Sequence, residues 1–127
     1  MGAADRSRAQ ADAGRLRPRG ARARIDLALL GGALAGLIET IDRPDHLLIE
    51  NVAVAPAFQG RGVGRRLMAH AEQLAAEQGH AELRLYTNAR FEENVALYRR
   101  LGYRVDREDE GPLGVAVHMS KRIGYQT

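Results

Sequence analysis

Residues 52–67 read Val52-Ala-Val-Ala-Pro-Ala-Phe-Gln-Gly60-Arg-Gly62-Val-Gly64-Arg-Arg-Leu67. An apolar run stops at Pro56, glycines fall at alternate positions, and an amphipathic pattern begins at Arg65. This is the sequence of a strand that ends in a glycine loop and turns into a helix. Glycine lets backbone approach a ligand with no Cβ in the way. The first amides of a helix lack internal partners, and with the positive end of the dipole they attract an anion, above all a phosphate. Arg61, Arg65 and Arg66 add fixed positive charge. A nucleotide-hydrolase loop needs Gly-Lys-Ser/Thr, which does not follow Gly64. A dinucleotide fingerprint needs Gly-x-Gly-x-x-Gly, whereas the spacing here is Gly-x-Gly-x-Gly, with too few strand–helix units after it. The pyrophosphate of coenzyme A is a third reading, and a tight strand-to-helix turn that binds nothing is the fourth.

Working outward, residues 46–54 form a largely apolar run that reads as a buried central strand, closed by Pro56. Before it, residues 25–30 and 34–41 flank Gly31-Gly32, a two-residue hairpin signal. After the loop, Leu67, Met68, Ala71, Leu74 and Ala75 recur at spacings of three and four, which predicts a helix over 65–78, with Gly79 at its C-terminus. Residues 81–87 alternate Leu83, Leu85, Thr87 against Glu82, Arg84, Tyr86 and predict a strand. Residues 91–101 carry Phe91, Val95, Tyr98 and Leu101 on one side of a second helix, stopped by Gly102. A strand opening at Tyr103, a Gly111-Pro112 turn and a strand over 115–119 complete the order βββ, helix, β, helix, ββ. The fold class is a mixed α/β (α+β) sheet. Residues 47–87 contain its one right-handed parallel crossover.

A chain of 127 residues is one domain's worth. It has no cysteine, which excludes disulfide scaffolds, cysteine nucleophiles and thiolate metal sites and fits a reducing, cytoplasmic setting. No apolar stretch reaches the ~20 residues of a membrane span. His46, His70, His80 and His118 show no ligand spacing, so no metal site is expected. The net charge of +3 is unevenly placed. Residues 1–24 hold seven arginines against Asp5 and Asp12, a balance of +5, and the other 103 residues carry −2. We read 1–24 as a basic Ala/Arg-rich arm, with a marginal helix over 3–16 ended by Pro18 and Gly20, and 25–127 as the folded domain. Such an arm can bind nucleic acid. However, Lys121 is the only lysine, which points to an arginine-preferring composition instead, and scattered aromatics do not make a stacking platform.

Residues 52–67 resemble motif A of the GNAT superfamily of N-acetyltransferases, with Gln59, Gly62 and Gly64 in the places of its Gln/Arg-x-x-Gly-x-Gly/Ala loop. Asn94-Val-Ala-Leu-Tyr98-Arg-Arg-Leu-Gly102-Tyr103 resembles motif B in its tyrosine and its closing Leu-Gly-Tyr. Counted back from Tyr98, the family's asparagine and alanine positions hold Phe91 and Asn94. The resemblance covers about residues 25–123. It implies a GNAT-like fold in which two parallel strands splay at a bulge, and acetyl-CoA as co-substrate. The backbone of Val52, Ala53 and Val54 would pair with the pantetheine. Gln59, Gly60, Arg61, Gly62, Val63, Gly64 and Arg65 would hold the pyrophosphate. Asn94, one helical turn before Tyr98, is either a further coenzyme contact or a polar residue on the solvated side of the helix.

The same resemblance implies direct attack by a primary amine, from a small molecule or a peptide. Tyr98 would then be the general acid and Glu50 the base that accepts the amine proton. Tyr98 as a packing residue and Glu50 as a salt-bridged one are the alternatives. Asn88 is expected to cap the second helix or line the cleft. The family usually opens with a strand and two helices, about 50 residues, that wall the acceptor site. The segment 1–24 is too short and polar to supply them, so we expect a shortened member, a wall contributed by another subunit of a homodimer, or a truncated reading frame. The competing functions are a non-catalytic acyl-CoA-binding module and a nucleic-acid-interacting protein.

Overall fold

The structure, a computed structural model, describes residues 22–124. The expected helix over 3–16, and most of the segment read as an arm, lie outside the described residues. β1 (Arg22–Leu30) turns into β2 (Ala33–Asp42) through Gly31 and Gly32, whose φ values of 58° and 83° are those a two-residue type I′ loop demands. β1 starts three residues before the first apolar position, so Arg22–Arg24 join the sheet. β3 (Leu47–Val54) leads through a 3₁₀ turn, Pro56–Phe58, to α1 (Val63–Glu77). β4 (Glu82–Asn88), α2 (Glu92–Arg100), β5 (Arg104–Gly111) and β6 (Gly114–Arg122) follow. The helix after the glycine loop therefore begins two residues earlier than its apolar stripe suggests, and takes Gly64 into its first turn.

The six strands form one sheet in the order β1-β2-β3-β4-β6-β5, antiparallel except for the β3–β4 pair. Both helices lie against one face. Leu67, Met68, Ala71, Leu74 and Ala75 of α1 are all buried, against Ile38, Ile49, Leu83, Leu85 and Met119 of the sheet. Gly62, the N-cap of α1, offers no side-chain cap. A cap is worth about 1 kcal/mol, whereas each large apolar side chain buried here contributes about 1.5–3 kcal/mol, so packing decides that α1 forms. At Gly36 the β3 backbone, with α1 packed behind it, comes close enough to β2 to require a glycine. A Cβ on Gly36 would stand 2.6 Å from the Ala53 carbonyl oxygen and 3.2 Å from Leu67 and Val63 side-chain carbons.

Two irregularities open the sheet. β3 and β4 pair only at Leu47↔Leu83, Leu48↔Arg84 and Ile49↔Leu85, and then diverge. On the other side of β3, Thr40 pairs with Ile49 but Glu39 with Asn51, so Glu50 is the extra residue of a β-bulge. The bulge bends β3 away from β4 where the divergence starts. The β4-facing backbone of residues 52–54 consequently has no strand partner among the described residues.

Candidate active site

Beside the splayed end of β3 lies a cleft of about 300 Å³. Val52 and Val54 line it from β3, Gln59, Gly60 and Gly62 from the loop, and Val63 and Gly64 from the start of α1. Asn94 and Tyr98 close it from α2. Nine of the residues singled out in the sequence thus meet in one place. Gly60 and Gly62 both have φ 81°, a left-handed backbone that turns the loop back on itself at little steric cost. The first helical hydrogen bond runs from Arg66 N to Gly62 O (3.1 Å), so the amides of Val63, Gly64 and Arg65 precede it and are available to a ligand. The Val63 side chain belongs to the core, which leaves only its amide for that role.

Three expected contacts do not line the cleft. Ala53 pairs with Leu37 and faces the opposite side of the sheet from Val52 and Val54. The exposed Arg61 guanidinium stacks over the Phe58 ring at 5.5 Å, and the Arg65 side chain is exposed on the first turn of α1. Phe58, Met68, Glu93 and Leu97 line the cleft and were not among the expected site residues. Of these, only Leu97 had a signal, its spacing of three from Asn94 on the helix.

α2 carries Glu92 and Glu93 in its first turn and Arg99 and Arg100 in its last, the order its dipole favours. The Tyr98 ring packs against Tyr103 at 6.1 Å, and burial pushes the Tyr98 phenol up to about 12. Glu50, at the bulge, is 6% exposed and accepts a hydrogen bond from Tyr86 Oη at 3.3 Å. Burial, then the Glu50 and Glu39 carboxylates, push the Tyr86 phenol up to about 12. Tyr86 went unnoticed in the sequence because the alternation of 81–87 marks it only as a residue on the outer face. Asn88 lies away from this cleft. Its Oδ1 accepts from Arg90 N (3.0 Å) in the turn before α2, and its Nδ2 donates to Leu113 O (2.9 Å).

The four histidines each stand beside an aspartate: His46–Asp45 (2.7 Å), His70–Asp26 (3.1 Å), His80–Asp42 (2.6 Å) and His118–Asp109 (3.1 Å). Among the described residues no three histidine or acidic side chains gather as a metal site would need. No helix among them is long and apolar enough to cross a membrane.

A bulged, splayed parallel pair with a glycine loop at its mouth is the geometry the motif resemblance implies, and residues 4–103 match the Acetyltransferase (GNAT) family. The chain belongs to the GNAT acetyltransferase family. The match reaches back into the arginine-rich segment. Mouse N-alpha-acetyltransferase 80 is 38% identical to this GNAT chain over 77 residues, which are 61% of the chain and 23% of that protein. The crystal structure of nourseothricin acetyltransferase superposes with a TM-score of 0.74 at 29% identity, covering 79% of this chain and 65% of that one. A Bacillus subtilis acetyltransferase solved in complex with CoA shares the fold, with a TM-score of 0.76 at 23% identity, covering 80% and 78% of the two chains. This GNAT chain therefore spans about a quarter of the curated relative and about two-thirds of the nourseothricin enzyme.

Proposed function

We propose that this protein transfers an acetyl group from acetyl-CoA to a primary amine. The observation that carries the reading is the convergence in one cleft of a β3 backbone edge without a strand partner among the described residues, two left-handed glycines before a helix N-terminus, and Tyr98. The edge at residues 52–54 suits the amides of a pantetheine arm, and the amides of the loop and of Val63 to Arg65 suit a pyrophosphate. Arg61 and Arg65, outside the lining, would act on the phosphates as screened surface charge. Asn94 would contact the coenzyme from α2.

Acetyl-CoA supplies the activated acetyl thioester. The amine nitrogen bonds to the acetyl carbon, the carbon–sulfur bond breaks, and the amine loses one proton while the departing sulfur gains one. Glu50 is the acceptor of the amine proton, held at the mouth of the splay by the Tyr86 hydroxyl. Tyr98 donates to sulfur. Its raised pKa keeps the phenol protonated throughout the neutral range.

Calorimetric titration with acetyl-CoA, followed by a thiol-release assay over a panel of amines, tests the reading. Saturable binding with amine-dependent thiol release is expected. Binding without release from any amine would leave an acyl-CoA-binding module, and absence of binding would remove the proposal.

A further inference from the structure

A second pocket of about 580 Å³ lies on the sheet face away from the helices, between β4, the β5–β6 hairpin and the turn before α2. Its lining is dominated by apolar surface, with Phe91, Pro112, Leu113 and Ala116 around the rings of Tyr86 and His118. Tyr86 is shared between this pocket and the bulge, because its ring lines the pocket while its hydroxyl donates to Glu50. A group bound to the amine that reaches Glu50 therefore has this pocket beside it.

One of the two carboxylates on the pocket lining is already paired. Asp109 meets both Arg107 Nε (3.1 Å) and His118 Nε2 (3.1 Å), and Glu110 has Arg90 on the same lining. One ammonium has Glu50 to face, but with Asp109 paired only Glu110 remains among the described lining residues to receive a string of further cationic groups, against a mostly apolar surface. At the far rim Leu113 is 86% exposed at the hairpin tip, an apolar side chain left uncovered by the described residues.

We infer that this pocket selects the acceptor, and that the acceptor is a primary amine carrying an apolar group on the adjacent carbons, not a polyamine or a polycationic antibiotic. The inference rests on the acetyl-transfer reading. The same chemistry occurs in a free arylalkylamine and in a peptide whose first residue is apolar. The assay therefore compares 2-phenylethylamine, a tetrapeptide beginning with leucine, and spermidine. The first two distinguish the sources, and both should exceed spermidine in kcat/KM by tenfold or more.

Leu113→Asp places a charge at the rim without touching the core. It should raise KM for the apolar amines about tenfold, the order expected for losing one partly covered leucine contact. Leu113→Met should restore it, and acetyl-CoA affinity should not move. A preference for spermidine, or apolar-amine kinetics indifferent to Leu113→Asp, overturns the inference. Should no amine turn over, NMR titration of 2-phenylethylamine into the CoA-saturated protein decides instead. Shifts at Tyr86 and Phe91 that Leu113→Asp weakens support the pocket, and no shifts reject it. Failure of CoA to bind in the same sample rejects the acetyl-transfer reading rather than the pocket.

Discussion

Replacing Tyr98 by phenylalanine keeps the ring that packs on Tyr103 at 6.1 Å and removes only the hydroxyl proton. A general acid contributes roughly 10²- to 10⁴-fold in rate, about 2.7–5.4 kcal/mol of barrier. The structure points to the lower part of that range. The phenol, at about 12, is a weaker acid than a thiol of ordinary pKa near 8.5. Complete transfer to sulfur is therefore uphill in the resting site, and the hydroxyl helps chiefly as a hydrogen-bond donor while charge develops. The expected loss is about 10²-fold in kcat at pH 7.5, with acetyl-CoA affinity and melting temperature nearly unchanged. The raised pKa also makes a pH prediction: the acid is active while protonated, so loss of rate through Tyr98 ionisation belongs near pH 12 rather than pH 10. Single-turnover thiol release, with calorimetry on the same samples, separates chemistry from binding. Near-normal kcat in Tyr98→Phe removes Tyr98 from the proton path. A lost coenzyme affinity with an intact chemical step shows a packing role instead.

Gly62→Val forces a β-branched residue into the left-handed backbone at φ 81°, so acetyl-CoA affinity should fall tenfold or more, and unchanged calorimetric affinity would mean that the loop is only a turn. Gly36→Ala drives a methyl to 2.6 Å from the Ala53 carbonyl and should cost about 1–3 kcal/mol in urea denaturation, an effect absent if the β3 backbone at Ala53 can shift. The Tyr86 and Tyr98 phenols are held protonated to about pH 12 in the fold, whereas unfolded tyrosines ionise near 10. Their contribution to stability is thus complete below pH 10 and lost as pH rises to 12, by up to about 1.4 kcal/mol per pH unit for Tyr98 and by less for the half-buried Tyr86, which solvent screens. Urea melts at pH 8 and 11 measure it, and equal stabilities would contradict the burial of these rings.

Much of this protein follows from local pattern. The Gly31-Gly32 turn, the three-four spacing from Leu67 to Ala75 and the alternation of Leu83, Leu85 and Thr87 each state a period and a stop, so the element order and the parallel β3–β4 pair could be read from the chain. Motif A and Tyr98 were legible for the same reason: a backbone conformation that only glycine adopts cheaply, and a helical register, are written within a few residues. Boundaries shifted by two or three residues at β1 and α1 because a helix starts where hydrogen bonding starts, not where its apolar stripe does. Tertiary structure decided what depends on register between distant strands. Glu50 becomes the bulge residue only through its pairing opposite Glu39 and Thr40, and its contact with Tyr86 spans two strands that diverge just there. The pocket between Tyr86, Phe91 and Leu113 likewise joins three segments far apart in the chain. No sequence window contains such a site, because a side chain's neighbours across a sheet are set by strand order and bulges, which are settled only when the whole sheet packs.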